Sequence, residues 1–559
     1  MKERYKALLT IALIVFVGFL LRTYNINWDQ NNHLHPDERF LTMVSNAMKI
    51  PTSIETYLSP QVSRMNPANV NFSFFVYGTL PIVLNKIIVT VLNIDTYHLT
   101  TLAGRYMSAV ADTLSILIII KLVELFEKKY KFSRNVKFLS GLAYAIAVLP
   151  IQNAHFFTVD ATASFFMIAA LYCSVKFFYI KKIPWIMLSA FMLGCAVGSK
   201  ISSVYIAPLI SWFLIMQIFP LKKLKKERII SFIGSSLLFV GVFYLTLRFA
   251  DPYLFQSSNF LSFQPNELFM KNIEQLKSFS NPAIWFPPSF QWTSKKPIIF
   301  PLQNIAFFGL GIPLFFTSLY GGIQLIRKKY KEIIFLIAWA LILFFYQGSQ
   351  FVTSMRYFYP LYPILAMCAG YGLWDLVSCV NKNYRRTGYA VGIFLWLVWP
   401  MSFMSIYTRP HSRVTASQWI FDNVPASSRL AMEHWDDPLP LYLDQRYIDR
   451  YKGIQLPIFE YDTPNKWQRI EEALAQSDYI ILSSNRAYGS LLPISKKFPI
   501  TSQYYHDLFV GTGDFVKVKE FTSFPEINLG FFSIPINDQW AEEAFTVYDH
   551  PKVTIFKHK

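Results

Sequence analysis

Residues 74–94 read FFVYGTLPIVLNKIIVTVLNI, and the fold turns on whether they cross a membrane. The stretch is apolar enough to span, but Pro81, Asn85 and Lys86 interrupt it. Around it lie apolar windows near 7–22, 101–126, 138–154, 157–180, 183–199, 201–219, 229–248, 302–326, 333–347, 357–379 and 387–406. Most approach the roughly 20 residues a bilayer requires. Basic clusters separate them: Lys128, Lys129, Lys131, Arg134 and Lys137; Lys181 and Lys182; Lys222, Lys223, Lys225, Lys226 and Arg228; Arg327, Lys328, Lys329 and Lys331; Lys382, Arg385 and Arg386. Cytoplasmic loops carry the excess of Lys and Arg. With 74–94 left out and the basic N-terminus inside, about eleven spans put every cluster on the cytoplasmic side. A crossing at 74–94 would invert all of them. The stretch is therefore predicted as an interfacial or re-entrant helix on the outer side, the alternative being a true span offset by another missed downstream.

Composition agrees with a membrane protein. Of 559 residues, 53% are hydrophobic and 16% charged, and mean hydropathy is +0.30, whereas soluble domains carry about 25% charge. The 17% aromatic content suits interfacial belts. The net charge of +18 sits in the clusters between spans, which argues against nucleic acid as a partner. Cys173, Cys195, Cys368 and Cys379 lie in or beside apolar segments, without zinc-ligand spacing or a disulfide framework. The first apolar run lacks a small-residue cleavage site and reads as a retained helix.

The fold class expected is a polytopic α-helical membrane protein with a C-terminal soluble α/β domain. Residues 1–406 form the membrane module, with long outer loops at 23–100 and at 249–301, the latter containing NPAIWFPPSFQW. Residues 407–559 form the second domain, where helix-like PNKWQRIEEALAQ runs into strand-like DYIILSS. An odd span number places this domain outside, at the cell membrane's outer face.

NNHLHPDERF, residues 31–40, follows the first span. A helix start accounts for it locally: Pro36 suits the first helical position, and Asp37 and Glu38 favour the first turn by about 0.3–1 kcal/mol. Phe40, Leu41, Val44, Ala47 and Met48 continue it as an amphipathic face. A helix start does not explain why charge gathers elsewhere on the same side. Arg105 stands near the outer end of the second span, His155 and Asp160 in one outer turn, and Lys200 and Arg356 in two others. Ionisable groups at the membrane edge are costly unless paired, so they mark function. Cations there suit the phosphate of a polyprenyl-phosphate donor. A carboxylate can deprotonate an acceptor hydroxyl or hold a divalent metal ion, for which Asp37 and Asp160 are the candidates. Glu433, His434, Asp436 and Asp437 in AMEHWDDP could also hold a metal, though an acidic loop closing an α/β unit fits better.

HPDE, FVYGTLP, AGRYMSAVADTL, HFFTVDATASFF, GCAVGSKISSVYIAP and MRYFYPLYPILA, in this order, resemble the GT-C membrane glycosyltransferases. The branch most similar contains protein O-mannosyltransferases and the lipid A aminoarabinose transferases. ASQWIFDNVPASSRLAMEHWDDPLPL and AEEAFTVYDHPKVTIFKHK are similar to bacterial phospholipid-carrier-dependent glycosyltransferases. The resemblance implies Asp37 as base or metal-proximal group with Glu38 beside it, Asp160 as second acid, and Arg105, Lys200 and Arg356 as phosphate contacts. It implies transfer of a sugar from a polyprenyl-phosphate donor to a protein, lipid or glycan acceptor. No Asp-x-Asp stands at the second acidic site. The rival is a transporter or flippase of lipid-linked sugars, which should show internal repeats and polar span centres. Neither is apparent, and eleven spans exceed what an anchored surface protein needs.

Overall fold

The computed structural model describes residues 2–219, 226–443, 448–528, 530 and 532–559. Lys222, Lys223 and Lys225 of the third basic cluster lie outside the described residues. Among those described, six helices are long and apolar enough to cross a membrane, or eight if two bent pairs each count as one span. Three further expected spans fall on helix Tyr97–Tyr130, helix Ile183–Ser199 and the helical stretch 201–215. The first has 34 residues but a polar buried face, and the second has 17, about 26 Å at 1.5 Å per residue. The expected count of about eleven therefore reads as six to eight by length and composition. One bent pair, 299–309 with 312–327, turns by 115°. Gly311 makes that turn at φ +81°, where an added Cβ would lie 2.7 Å from Trp399 Cβ.

Residues 80–91 form a 12-residue helix, about 18 Å long and too short to cross a hydrocarbon core of about 30 Å. Its interrupting polar residues are matched inside the protein. The Asn85 amide donates to the Thr100 carbonyl at 3.1 Å and its oxygen accepts from Ser45 Oγ at 2.8 Å. Lys86 Nζ reaches Asp95 at 2.5 Å. This helix packs with Pro36–Ala47 against Tyr97–Tyr130. Leu41 and Val44 of Pro36–Ala47, and Met48 just after it, are fully buried beside Ile82 and Phe157.

Deep in the bundle, Arg22 and Asp112 form a fully buried ion pair at 2.5 Å. The Tyr144 and Tyr359 hydroxyls both donate to Asp112 Oδ1 at 2.5 Å. Removing one member strands the other, a loss of about 3–5 kcal/mol. Asp112→Ala is accordingly expected to lower the thermal midpoint of the detergent-solubilised protein sharply. An unchanged midpoint would mean that Arg22 finds another anion.

The C-terminal sheet has strands β1 (Arg429–Glu433), β2 (Lys452–Leu456), β3 (Tyr479–Leu482), β4 (Phe515–Phe521), β5 (Glu526–Asn528), β6 (Ser533–Pro535) and β7 (Val553–His558). Its five-stranded order is β2-β1-β3-β7-β4, with β1 parallel to β2 and β3, and β7 antiparallel to β3 and β4; β5 and β6 pair separately. PNKWQRIEEALA is helix 464–475, capped by Thr463, and it precedes β3 as the pattern predicts. Phe290 from the Pro-rich outer loop enters this domain's core beside Leu456 and Phe498. The domain is also pinned to the membrane module: the Gln152 amide donates to the Phe545 carbonyl at 2.8 Å and to Asp549 Oδ2 at 3.0 Å.

His550 lies buried between Asp538 Oδ2 at 2.7 Å and Asp549 Oδ1 at 2.5 Å. Burial would depress this imidazole, but the two carboxylates lift it to about 10. A pKa raised on folding contributes stability fully below the unfolded value near 6.5 and loses it as pH rises through the folded value. The wild-type melting temperature should therefore fall between about pH 7 and 10. His550→Gln should flatten that slope, and equal slopes would remove the imidazolium from the account.

Candidate active site

Asp37 and Glu38 are neighbours in one helix, yet about 100° of helical rotation sends them to different places. Pro36 starts the helix, and His35 Nδ1 caps it by accepting the Glu38 N–H at 3.3 Å. Burial holds the His35 imidazole down to about 4, hence neutral at pH 7. Glu38 turns inward and is fully buried. Its oxygens accept from Arg105 Nη2 at 2.6 Å, Arg105 Nε at 2.9 Å and the Phe157 N–H at 2.7 Å. Arg105 also binds Asp29 at 2.8 and 3.1 Å and the Ile26 carbonyl at 2.8 Å.

All five Arg105 N–H donors are thus engaged within the protein, and neither Arg105 nor Glu38 lines either cavity described below. The expected roles of Arg105 as a phosphate contact and Glu38 as a helper do not fit this placement. The two form a strut that fixes helix Pro36–Ala47 on the bundle. His155 is also turned away: it stacks on Tyr407 at 4.0 Å and bonds to the Ile151 and Tyr24 carbonyls.

Asp37 turns the other way. Its carboxylate is 26% exposed, pairs with Arg356 and accepts from the Tyr77 hydroxyl. Burial pushes Asp37 up, but Arg356, His35 and Tyr77 together hold it below the usual carboxylate range. Asp160 and Lys200 pair at 2.6 Å. Arg356 and Lys200 flank the Tyr357 ring, at 5.7 and 5.3 Å. Four of the expected residues, Asp37, Asp160, Lys200 and Arg356, thereby come together.

Two cavities meet here. One, of about 280 Å³, lies among membrane helices and is lined by Asp160, Lys200, Arg356, Tyr77 and apolar residues including Met167, Ile201 and Leu343. The other, of about 640 Å³, opens among the loops between the helices and the C-terminal domain and is lined by Asp37, Arg356, Tyr77, Arg486, Glu542, Glu543 and many aromatic rings. Tyr77, Arg356 and Tyr357 belong to both walls. Glu542, which sequence reasoning did not single out, accepts the Met355 N–H at 2.5 Å, and burial lifts it to about 7. The sequence signals for Tyr77 and Glu542 were only their places in FVYGTLP and AEEAFTVYDH.

Among the described residues, no three His, Cys, Asp or Glu side chains gather as a metal-binding group. A divalent ion held by Asp37 and Asp160 would have to compete with Arg356 and Lys200. In AMEHWDDP, Arg413 bridges Asp436 and Asp437 at 2.7 and 2.8 Å, and Tyr505 donates to Glu433. These pairings are those of a structural acidic loop. Asp437 also receives Arg39 at 3.1 Å, linking the helix that carries Asp37 to the C-terminal domain.

The profile of the family described as dolichyl-phosphate-mannose-protein mannosyltransferase matches residues 81–245. No curated protein matches the sequence. Among solved structures, the Archaeoglobus fulgidus oligosaccharyltransferase tethered with an acceptor peptide is 13% identical, over 90% of this chain and 72% of its own, with a TM-score of 0.55. AglB from the same organism, in complex with an inhibitory peptide and a dolichol-phosphate, is 12% identical over 98% and 78%, with a TM-score of 0.53. ArnT from Cupriavidus metallidurans is 14% identical over 88% and 95%, with a TM-score of 0.44. The protein is a multi-pass membrane protein of the GT-C fold with a C-terminal sheet domain. Its resemblance to the GT-C glycosyltransferases, including the protein O-mannosyltransferase branch, stands on both the profile match and the fold.

Proposed function

We propose that this protein is an integral-membrane glycosyltransferase moving a sugar from a polyprenyl-phosphate donor to an acceptor on the outer side of the membrane. The observation that carries the reading is the Asp37–Arg356 pair at the wall between two cavities, one facing apolar helices and one facing outer loops. Lys200 and Arg356 bind the donor phosphate in the first cavity while the polyprenyl chain lies among the helices. The acceptor hydroxyl enters from the second. Asp37 takes its proton as the oxygen attacks the anomeric carbon. The bond from that carbon to the phosphate oxygen breaks, and the electron pair leaves with polyprenyl phosphate, whose charge the two cations offset. Attack opposite the leaving group inverts the anomeric centre.

The apolar lining and membrane fold are consistent with the lipid donor, and AglB was solved with a dolichol-phosphate. The topology completing this reading has about eleven spans, a cytoplasmic N-terminus and an external 407–559 domain, as the basic clusters require. Incubating the purified protein with a panel of polyprenyl-phosphate sugars and assaying released polyprenyl phosphate tests the function. Release from at least one donor is expected. No release from any, with donor bound, would favour a flippase of lipid-linked sugars.

A further inference from the structure

The aromatic stretch NPAIWFPPSFQW and the loop AMEHWDDP have no part in the transfer chemistry, yet they meet at the outer cavity. Phe286 stacks on Phe279 at 4.3 Å and 13°, and meets Trp435 edge-on at 6.1 Å and 82°. Trp435 holds a left-handed backbone, φ +77°. That conformation is an outlier for a bulky side chain, costs about 1–3 kcal/mol, and persists where surrounding structure imposes it, often at ligand clamps. Arg486 donates to the Trp435 carbonyl at 2.6 Å. Trp435 nonetheless remains 37% exposed, at the cavity wall.

Arg486 also donates through Nε to Glu543 Oε1 at 2.6 Å. The other Glu543 oxygen, Oε2, is buried without a hydrogen-bond partner among the described residues, in a side chain only 9% exposed on the same cavity. A buried carboxylate oxygen left without a donor is costly and calls for a donor from a ligand. The Tyr548 ring adjoins it and lies 4.3 Å from the ring of His35, which leads into the Asp37 helix.

We infer that the outer cavity recognises the acceptor as an uncharged carbohydrate. Its sugar rings lie on Phe286, Trp435 and Tyr548, and one hydroxyl donates to Glu543 Oε2. This deepens the transferase reading above and rests on it for the acceptor role. A pyranose presents apolar C–H faces to rings and a rim of hydroxyls to planar polar groups, and this wall supplies both. An acyl chain would leave the Glu543 oxygen unpaired, and an anionic group at that position would face the carboxylate of Glu543 and its neighbour Glu542. A polypeptide carries backbone donors and acceptors in series, whereas the part of the wall around Glu543 offers the rings of Phe286, Trp435 and Tyr548.

The test uses the full chain in nanodiscs and saturation-transfer NMR with cellobiose, chitobiose and mannobiose, beside a capped Ser/Thr-rich hexapeptide. At least one disaccharide should receive saturation at its ring C–H protons. Its affinity should drop about tenfold in Trp435→Ala and in Glu543→Gln, the loss of one ring or hydrogen-bond contact worth about 1.4 kcal/mol. Trp435→Phe, which keeps a ring, should recover most of it. Disaccharide silence, equal affinity in both variants, or signal from the peptide alone overturns the inference. Undecaprenyl phosphate binding is measured in the same discs. Its loss with disaccharide binding intact would count against the donor reading, and the reverse against the carbohydrate site.

Discussion

Asp37→Asn should lower the rate of polyprenyl phosphate release by about 10²–10⁴, the usual cost of losing a general base. The substitution keeps size and shape, and Asn is tolerated at helix starts. If Asp37 served only the helix dipole, the loss would be about 0.3–1 kcal/mol of stability and no rate. The two readings thus separate by orders of magnitude. Asp37 suits the role because the Arg356 guanidinium and the Tyr77 hydroxyl hold it ionised at neutral pH despite burial. It also lines the larger of the two cavities. The measurement is single-turnover release in nanodiscs, with melting temperature and donor binding as controls. Near wild-type turnover by a folded, donor-binding variant would leave Asp37 as a helix start that anchors Arg356.

The cluster was readable because Asp37, Asp160, Lys200 and Arg356 each stand at or near the end of an apolar stretch, and parity of the basic clusters assigns those ends to one side. What could not be read was which charges face one another across the fold. Periodicity held a usable hint for Glu38: with Leu41, Thr42 and Ser45 it falls on the buried stripe of its helix, while Asp37 does not. Arg105 likewise shares a buried face with Thr101, Ser108 and Asp112. Asp29, which helps to engage Arg105, sits in an irregular turn with no period to mark it. Helix 80–91 was legible because Asn85 and Lys86 would be stranded in lipid, and their partners Thr100 and Asp95 lie nearby in sequence. The C-terminal domain's share in the cavity was not, since Met355 and Glu542, which meet on its wall, are 187 residues apart and neither residue type marks a contact.

Replacing Arg356 should have two separable effects, because this side chain alone among the cations proposed for phosphate belongs to both cavities. Arg356→Ala should reduce kcat by about 10²–10³, as expected when a preorganised stabiliser of developing charge is removed. Lys200→Ala, which touches only the inner cavity, should mainly weaken donor binding and leave the pH profile in place. Arg356→Ala should move that profile as well. Without the guanidinium, the largest influence opposing burial is lost, so the Asp37 carboxyl rises. Activity that depends on ionised Asp37 is then lost sooner as pH falls, and the acid limb shifts upward. Arg356→Lys should return the limb toward its wild-type position by restoring charge beside Asp37. It should not restore full kcat, because one ammonium cannot present a planar fork to carboxylate and phosphate at once. A merely structural Arg356 would lower melting temperature and active fraction without moving the limb. An unmoved acid limb with unchanged donor affinity in Arg356→Ala would therefore remove Arg356 from both roles.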